Sequence, residues 1–181
     1  MTETPETVLE FWFNELTPKQ WFVKDGEVDR HITERFAGLH LALSRLVPPE
    51  WRASPEARLA LVIVFDQFPR NMYRGSPLSF ATDSIALKAA KAAIAVGADA
   101  AVSEERRIFF YMPFEHAENI ADQDRAVALC EALGNENYLD FARQHQTIVE
   151  RFGRFPHRNS ILGRTSTPEE EAYLAQPGAG F

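Results

Sequence analysis

The chain has 181 residues, of which 45% are hydrophobic and 25% charged, as in an ordinary globular protein. Its net charge of −7 argues against general nucleic-acid binding, which needs a basic face to neutralise phosphates. No apolar run approaches the ~18 residues of a membrane span, and a single cysteine, Cys130, excludes an internal disulfide framework. We expect one α-helical domain over residues 1–181, without a secretory signal and located in the cytoplasm.

Four helix starts are marked by a capping hydroxyl directly before a proline: Thr4-Pro5, Thr17-Pro18, Ser54-Pro55 and Thr167-Pro168. Gln20 and Glu170 add capping-box spacing at the second and fourth of these starts. Clear strand alternation is absent from the sequence. Short loops between about seven helices predict an all-α array of antiparallel helix pairs.

The predicted helices follow one another along the whole chain. Asp83 is predicted as an N-cap, and Pro113 should kink or stop its helix because proline lacks an N–H. Cys130, at helical spacing with apolar neighbours, is predicted as a small core residue. The predicted bounds are Pro5–Phe13, Glu27–Leu46, Pro55 to Asp66 or Gln67, Asp83–Gly97, Ser103 through Pro113, Asp122–Leu133, Glu136–Phe152 and a short helix after Thr167.

The segment Leu59–Arg74 joins seven consecutive apolar residues directly to a polar cluster. Phe68 precedes a proline and is biased away from helical dihedrals, so the helix should end near Asp66. An acid there lies at the negative end of the helix dipole and needs a cation, for which Arg70 and Arg74 are the nearest choices. The cluster is either a ligand site or an ion-paired helix terminus that only stabilises the turn.

Two other helices direct titratable groups towards the core. His145 follows Phe141 by four residues and precedes Ile148 by three, so it lies on an apolar stripe. Glu115 and His116 share the inward face of Ile108 if their helix persists past the proline. Glu115, His116 and His145 are therefore the candidate catalytic residues. The sequence has no zinc-ligand spacing, no nucleotide-binding loop and no serine-nucleophile motif, and we predict no metal site and name no cofactor.

The segment RFGRFPHRN at residues 151–159 is the most distinctive basic turn. Arginine offers planar, bidentate donors for carboxylate or phosphate. The alternative is that these residues cap the preceding helix and pair with Asp66 or Glu115. Phe155-Pro156-His157-Arg158-Asn159 also repeats Phe68-Pro69-Arg70-Asn71 with one residue inserted, by chance or by internal duplication. The candidate ligand-binding residues are Asp66, Arg70, Asn71, Arg74, Arg154, His157, Arg158 and Asn159.

Three motifs, DQFPRN, FFYMPFEHAENIADQDRAV and RFGRFPHRNSILGRTSTPEE, occur in the order found in one bacterial family. With the VLEFWF and GAGF segments, the chain resembles the family catalogued as domain of unknown function 924. The resemblance implies an all-α, tetratricopeptide-like fold and a family without an established activity. Ala126 stands where the resemblance implies a serine. The polar motif residues carried over are Asp66, Gln67, Arg70, Asn71, Arg74, Glu115, His116, Glu118, His145, Arg151, Arg154, His157, Arg158 and Asn159.

Three hypotheses for the polar residues stay open at this point. The first is a groove that binds an anionic small molecule or an acidic peptide, since local positive charge occurs on an acidic protein. The second is a small enzyme acting on an anionic metabolite, in which His116 or His145 is the acid–base group, oriented by Glu115 or Asp66, and Arg158 holds the charge. In the third, the cluster is purely structural. The sequence indicates neither membrane nor nucleic-acid partners, and it gives no oligomeric state.

Overall fold

In a computed structural model of the protein, residues 3–180 are described, and these contain α-helices, short 3₁₀ helices and one π-turn but no strand. Eight helical segments reach seven residues when α1 is counted with the π-turn that continues it, so the prediction of an all-α fold with about seven helices is confirmed. The α-helices are α1 Pro5–Glu10, α2 Pro18–Phe22, α3 Gly26–Arg45, α4 Pro55–Asp66, α5 Phe68–Met72, α6 Asp83–Ile94, α7 Glu104–Glu115, α8 Ile120–Leu133, α9 Glu136–Phe152 and α10 Pro168–Leu174.

The described chain divides into two compact units. Unit 1 comprises the described residues up to Arg74 together with Leu78–Pro113, and unit 2 comprises Gly75–Pro77 and the described residues from Phe114 onward. The boundary falls inside α7, after Pro113, and this helix ends two residues later at Glu115. The single domain expected over residues 1–181 stays a prediction.

Unit 1 is built around α4. Every residue from Leu59 to Phe65 is at most 3% exposed, and α4 packs against α1, α6 and the 3₁₀ turn Pro49–Arg52. The side of α6 that faces the core carries Ala86, Ala90 and Ala93, each fully buried. Small side chains at this spacing let two helices approach closely, which explains the alanine-rich sequence of α6.

Four details of unit 1 differ from the sequence predictions, and one of them is that α6 ends at Ile94 and not at Gly97. The first helix does not end at Phe13: it continues as a π-turn, Phe11–Glu15, closed by a bond from the Leu16 N–H to the Phe11 carbonyl. The chain re-enters a helix at Phe68, although a proline follows it. Thr82, not Asp83, is the N-cap of α6, and Asp83 is the first helical residue. The carboxylate of Asp83 serves an ion pair instead of a cap.

Unit 2 contains the helical hairpin of α8 and α9. Gly134, at a φ of 77°, closes α8, and the side chain of Asn135 caps α9. The buried face of α9 carries Leu139, Ala142, His145, Ile148 and Val149. Phe141 was predicted on this stripe but is 43% exposed, because Leu139 and Ala142 turn the buried face away from it.

Candidate functional site

The polar cluster at the end of α4 is a buried ion-pair network within unit 1. Asp66 is fully buried, and the Arg70 guanidinium donates to the Asp66 carbonyl and lies 3.6 Å from its carboxylate. The same guanidinium donates two bonds of 2.9 and 3.0 Å to the carboxylate of Asp83. Burial acts to lower the pKa of Arg70, but Asp66 and Asp83 raise it above its usual value. Arg70 is thus held between two carboxylates.

Asn71 and Arg74 both donate to one carboxylate of α3. The Asn71 amide and two guanidinium nitrogens of Arg74 each reach Asp29 over 2.8 Å. Burial acts to raise the pKa of Asp29, but these donors lower it. The Gln67 amide donates to Asp66 over 2.5 Å, and it also contacts the sulfur of Met112 at 3.3 Å. The unit 1 residues predicted to bind a ligand therefore bind one another and nearby carboxylates.

A second ion-pair network organises the basic turn after α9, and its acid is Glu170 of α10. Arg154 donates to both carboxylate oxygens of Glu170, over 2.6 and 2.7 Å, and Asn159 donates over 3.3 Å. The bonds from Arg154 lower the pKa of Glu170 to about 2. The sequence predicted Asp66 or Glu115 as partners for this turn, but Arg154 pairs with Glu170 because α10 folds back onto it.

Glu118 and Arg164 hold the same turn from another direction. Arg164 donates two bonds to the Glu118 carboxylate, of 2.6 and 2.9 Å, and one of 3.0 Å to the Phe155 carbonyl. It also donates to the Asn159 amide oxygen over 2.9 Å. Glu118 in turn accepts the Phe155 N–H over 2.8 Å. These bonds fix the backbone on which His157 and Arg158 are carried.

Around Phe155, three histidines and an arginine form a contiguous cluster, which we call the histidine cluster: His116, His145, Phe155, His157 and Arg158. The ring centroids of His116 and His145 are 6.2 Å apart, and those of His145 and His157 are each 5.6 Å from that of Phe155. The Arg158 guanidinium lies over the Phe155 ring, 4.6 Å from its centroid, and is only 6% exposed. This cluster is the most chemically distinctive arrangement in unit 2.

His145 is a neutral imidazole of defined tautomer. Its Nδ1 lies 2.8 Å from the Phe141 carbonyl, which can only accept, so Nδ1 carries the proton and Nε2 is the acceptor. Burial, then the neighbouring His116, lowers the pKa of His145 to about 3, and Arg158 and His157 act in the same direction.

His157 is neutral at pH 7 for similar reasons. Burial and the charge of Arg158 lower its pKa to about 4, while Glu118 acts in the opposite direction. Arg158 therefore lowers the pKa of both His145 and His157, which means that it generates a positive potential at both rings.

The remaining catalytic candidate, Glu115, lies at the end of α7 and is 5% exposed. Its carboxylate accepts a weak bond from the Cys130 thiol, with the two atoms 3.5 Å apart. Burial and Glu115 raise the pKa of Cys130, and the thiol is fully buried, so the prediction of a core cysteine is confirmed. The Gln123 amide caps α7 by donating to the carbonyls of Phe114, Glu115 and Ala117.

Residues 8–178 match the model of a family described as "Bacterial protein of unknown function (DUF924)". The chain belongs to this family. A solved structure of a protein of unknown function from Agrobacterium tumefaciens is 48% identical, with a TM-score of 0.90 over 94% of this chain and 96% of that chain. No curated protein matches the sequence. The resemblance inferred from the three motifs is confirmed, and so is the all-α fold.

The sequence did not identify two residues that organise the basic turn of this DUF924 protein. Arg164 was counted only as part of a basic stretch, and Glu170 only as part of a capping box. The capping box is present, because the Thr167 N–H donates to Glu170 over 2.7 Å. Ala126, where the resemblance implied a serine, is fully buried in α8.

Among residues 3–180, no three or more His, Cys, Asp or Glu side chains are grouped so that they could hold a metal ion. Within the same range, none of the helices combines the length and apolar character that crossing a membrane requires.

Proposed function

We propose that unit 2 binds a small-molecule anion, carboxylate or phosphate, at the histidine cluster. Arg158 would provide the fixed positive charge and His157 a ring N–H donor, and His145 would become a donor at Nε2 once a bound anion favours its protonated form. The observation that carries the proposal is the placement of one guanidinium and two neutral imidazoles around the ring of Phe155. The buried thiol of Cys130 suits a reducing compartment, so we place this binding in the cytoplasm.

The electrostatics of the cluster support this proposal. The positive potential that lowers the pKa of His145 and His157 would stabilise a bound anion. A bound anion would in turn favour the protonated form of both rings. Anion binding is therefore expected to take up protons and to strengthen as the pH falls from 7 towards 5.

The ion-pair networks narrow the set of binding residues. Arg70, Asn71 and Arg74 donate to Asp66, Asp83 or Asp29, and Arg154 donates to Glu170. Recruiting these donors to a ligand would break a bond to a carboxylate, which offsets the gain from the new contact. We therefore assign these four residues to structural support. For ligand binding we keep Arg158 and His157, because they lie with His145 around the ring of Phe155.

One observation favours the alternative of a small enzyme. The Phe141 carbonyl fixes the proton of His145 on Nδ1, which leaves Nε2 as an oriented base beside His116. With a pKa of about 3 this base is weak at neutral pH, and a bound anion would strengthen it. An enzyme would show a pH–rate profile that changes when His145 is replaced by glutamine, and a pure binding site would show no turnover.

The test is thermal and chemical unfolding of the full chain with inorganic phosphate, a monocarboxylate, a dicarboxylate and a short acidic peptide. A ligand at about a hundred times its Kd adds about 2.7 kcal/mol to the free energy of unfolding. We expect one small anion to stabilise the wild type and not Arg158→Ala. The matched control is Arg151→Ala, because Arg151 lies in the last turn of α9, where the basic turn begins, and pairs with exposed Glu169 over 2.9 Å.

His157→Asn provides a second variant at a partly exposed position, in case Arg158→Ala does not fold. Equal stabilisation of the wild type and of folded Arg158→Ala and His157→Asn by every anion would contradict the proposal. Stabilisation by the peptide alone would replace the small molecule with a peptide as the ligand.

A further inference from the structure

The segment after α10 reverses direction in a tight turn. The Ala179 N–H donates to the Gln176 carbonyl over 3.2 Å, with Pro177 and Gly178 between them and Gly178 at a φ of +79°. Proline at the second position and a glycine of positive φ at the third are typical of a type II turn. The turn is exposed as far as Gly178, whereas Ala179 and Gly180 are partly buried.

Gly180 lies directly against the side chain of His157. A Cβ added to Gly180 would be 3.2 Å from the His157 Cβ, 3.4 Å from its Cγ and 3.7 Å from Nδ1. The φ of Gly180 is +101°, a conformation that other residues rarely adopt. The backbone conformation therefore favours glycine at this position, and a larger residue would also push the His157 side chain away by a few tenths of an ångström.

We propose that the segment Gln176–Gly180 is a strap that closes over His157 and must lift before an anion can bind at the histidine cluster. The inference rests on the proposed function, because it concerns access to that same site. Gly180 covers His157 on the side of its Cβ, Cγ and Nδ1 atoms, which are the atoms that a Cβ at position 180 would meet. Strap closure and anion binding therefore compete.

The strap also affects the protonation of His157, since burial is the largest cause of its low pKa. The charged and titratable groups around this ring are Arg158, Arg164, Glu118 and His116. Lifting the strap would hydrate the ring without changing these neighbours. The open form is therefore expected to bind protons more readily than the closed form, and a protonated His157 favours opening.

The experiment compares the full-length wild type with Gly180→Ala. The added methyl meets His157 and the backbone is strained, so the strap should lift. Gly134→Ala is the matched control, because Gly134 also has a positive φ, of 77°, but nothing lies within 4 Å of its added Cβ. Gly178→Ala, which strains the type II turn, gives a second route to the same opening.

The first readout is the pKa of His157, followed by NMR titration of its ring protons. We expect Gly180→Ala and Gly178→Ala to raise this pKa by about one unit or more, since ring hydration favours the charged form. Gly134→Ala should leave it unchanged. If the pKa of His157 is unchanged in both strap variants, or rises equally in the control, the proposal that the strap covers His157 is wrong.

The second readout is the apparent Kd for whichever anion stabilises the wild type. A site that is open in only a tenth of the molecules binds about tenfold more weakly than an open one, so Gly180→Ala should bind several-fold more tightly. If an anion binds the wild type and Gly180→Ala leaves its Kd unchanged, the strap does not compete with binding. The proposed function then stands. If no anion binds any variant, the proposed function fails, and the competition proposed here fails with it even where the pKa of His157 rises.

Discussion

Two helix-ending turns of similar sequence have different surroundings. The turn after α4 contains Phe68-Pro69-Arg70-Asn71, and the turn after α9 contains Phe155-Pro156-His157-Arg158-Asn159. In both, a long helix ends and a short helical segment with proline near its start follows, α5 in unit 1 and the 3₁₀ turn Pro156–Arg158 in unit 2. The two turns thus share this order of elements, but their backbones differ, because Phe68 is helical whereas Gly153 is left-handed and Phe155 is extended.

The difference lies in what surrounds the arginine of each turn. Arg70 donates to the carboxylate of Asp83 and lies beside that of Asp66, so its charge is matched by acids in unit 1. Arg158 lies on the ring of Phe155, close to the imidazoles of His145 and His157. A repeated sequence motif can therefore have different surroundings in the two units: carboxylates contact Arg70, whereas an aromatic ring and two imidazoles lie near Arg158, where we propose that an anion binds.

Removing the charge on Asp66 is expected to cause the largest loss in the free energy of unfolding. Asp66→Asn leaves Arg70 partly buried without its full complement of negative charge, and breaking one partner of a buried pair costs about 3 to 5 kcal/mol. Urea unfolding at pH 7 measures the loss. Asp83→Asn is the control, because the Asp83 side chain is 19% exposed and Asp66 remains beside Arg70. This variant should lose less unfolding free energy than Asp66→Asn.

No anion is expected to restore the stability of Asp66→Asn, because the lost group is itself negative and its partner is a structural arginine. Restoration by phosphate or a carboxylate would mean that the unit 1 turn is also an anion site, and the contrast between the two turns would be wrong.

The next effect concerns His145 and the pH dependence of stability. Because its folded-state pKa of about 3 lies below its usual value of 6.5, the unfolded chain binds a proton here first as the pH falls. The group therefore destabilises the fold progressively between about pH 6.5 and pH 3, by about 2 kcal/mol at pH 5. His145→Phe should lose correspondingly less stability than the wild type between pH 7 and pH 5, as measured by urea unfolding at both values.

His145→Phe also removes the bond to the Phe141 carbonyl, so its stability at pH 7 should fall. The wild type and the variant are therefore compared by how much the free energy of unfolding of each changes between pH 7 and pH 5. Parallel pH dependence in the wild type and the variant would show that His145 does not titrate as a buried neutral group.

The helices could be predicted because their signals are local. The hydroxyl–proline caps at Thr4, Ser54 and Thr167 and the predicted bounds of α9, Glu136–Phe152, agree with the structure. These features depend on dihedral preferences and hydrogen bonds within a few residues. The end of α4 at Asp66 was likewise predicted from the proline that follows.

The partners of the polar residues could not be predicted in the same way. Asp29 and Glu170 reach Arg74 and Arg154 from other helices, 45 and 16 residues away in sequence. Asp83 was interpreted as an N-cap because an acid before a helix commonly has that role, but its tertiary neighbour Arg70 determines its contact. The stripe of α9 was misplaced at Phe141 because two overlapping helical faces both carry apolar residues, and only tertiary packing selects one.

The smallest loss in the free energy of unfolding is expected for Arg74→Ala, at the exposed part of the unit 1 turn. Arg74 is 36% exposed and makes a bidentate pair with Asp29, whose second donor is Asn71. Exposed pairs contribute about 0 to 1 kcal/mol and are screened by salt, so Arg74→Ala should lower the free energy of unfolding by less than about 1 kcal/mol at low salt. At molar salt the difference should vanish. A loss that does not depend on salt and is as large as that of Asp66→Asn would mean that Arg74 belongs to the buried network. The exposed arginine would then stabilise the unit 1 turn as much as the buried pair at the end of α4.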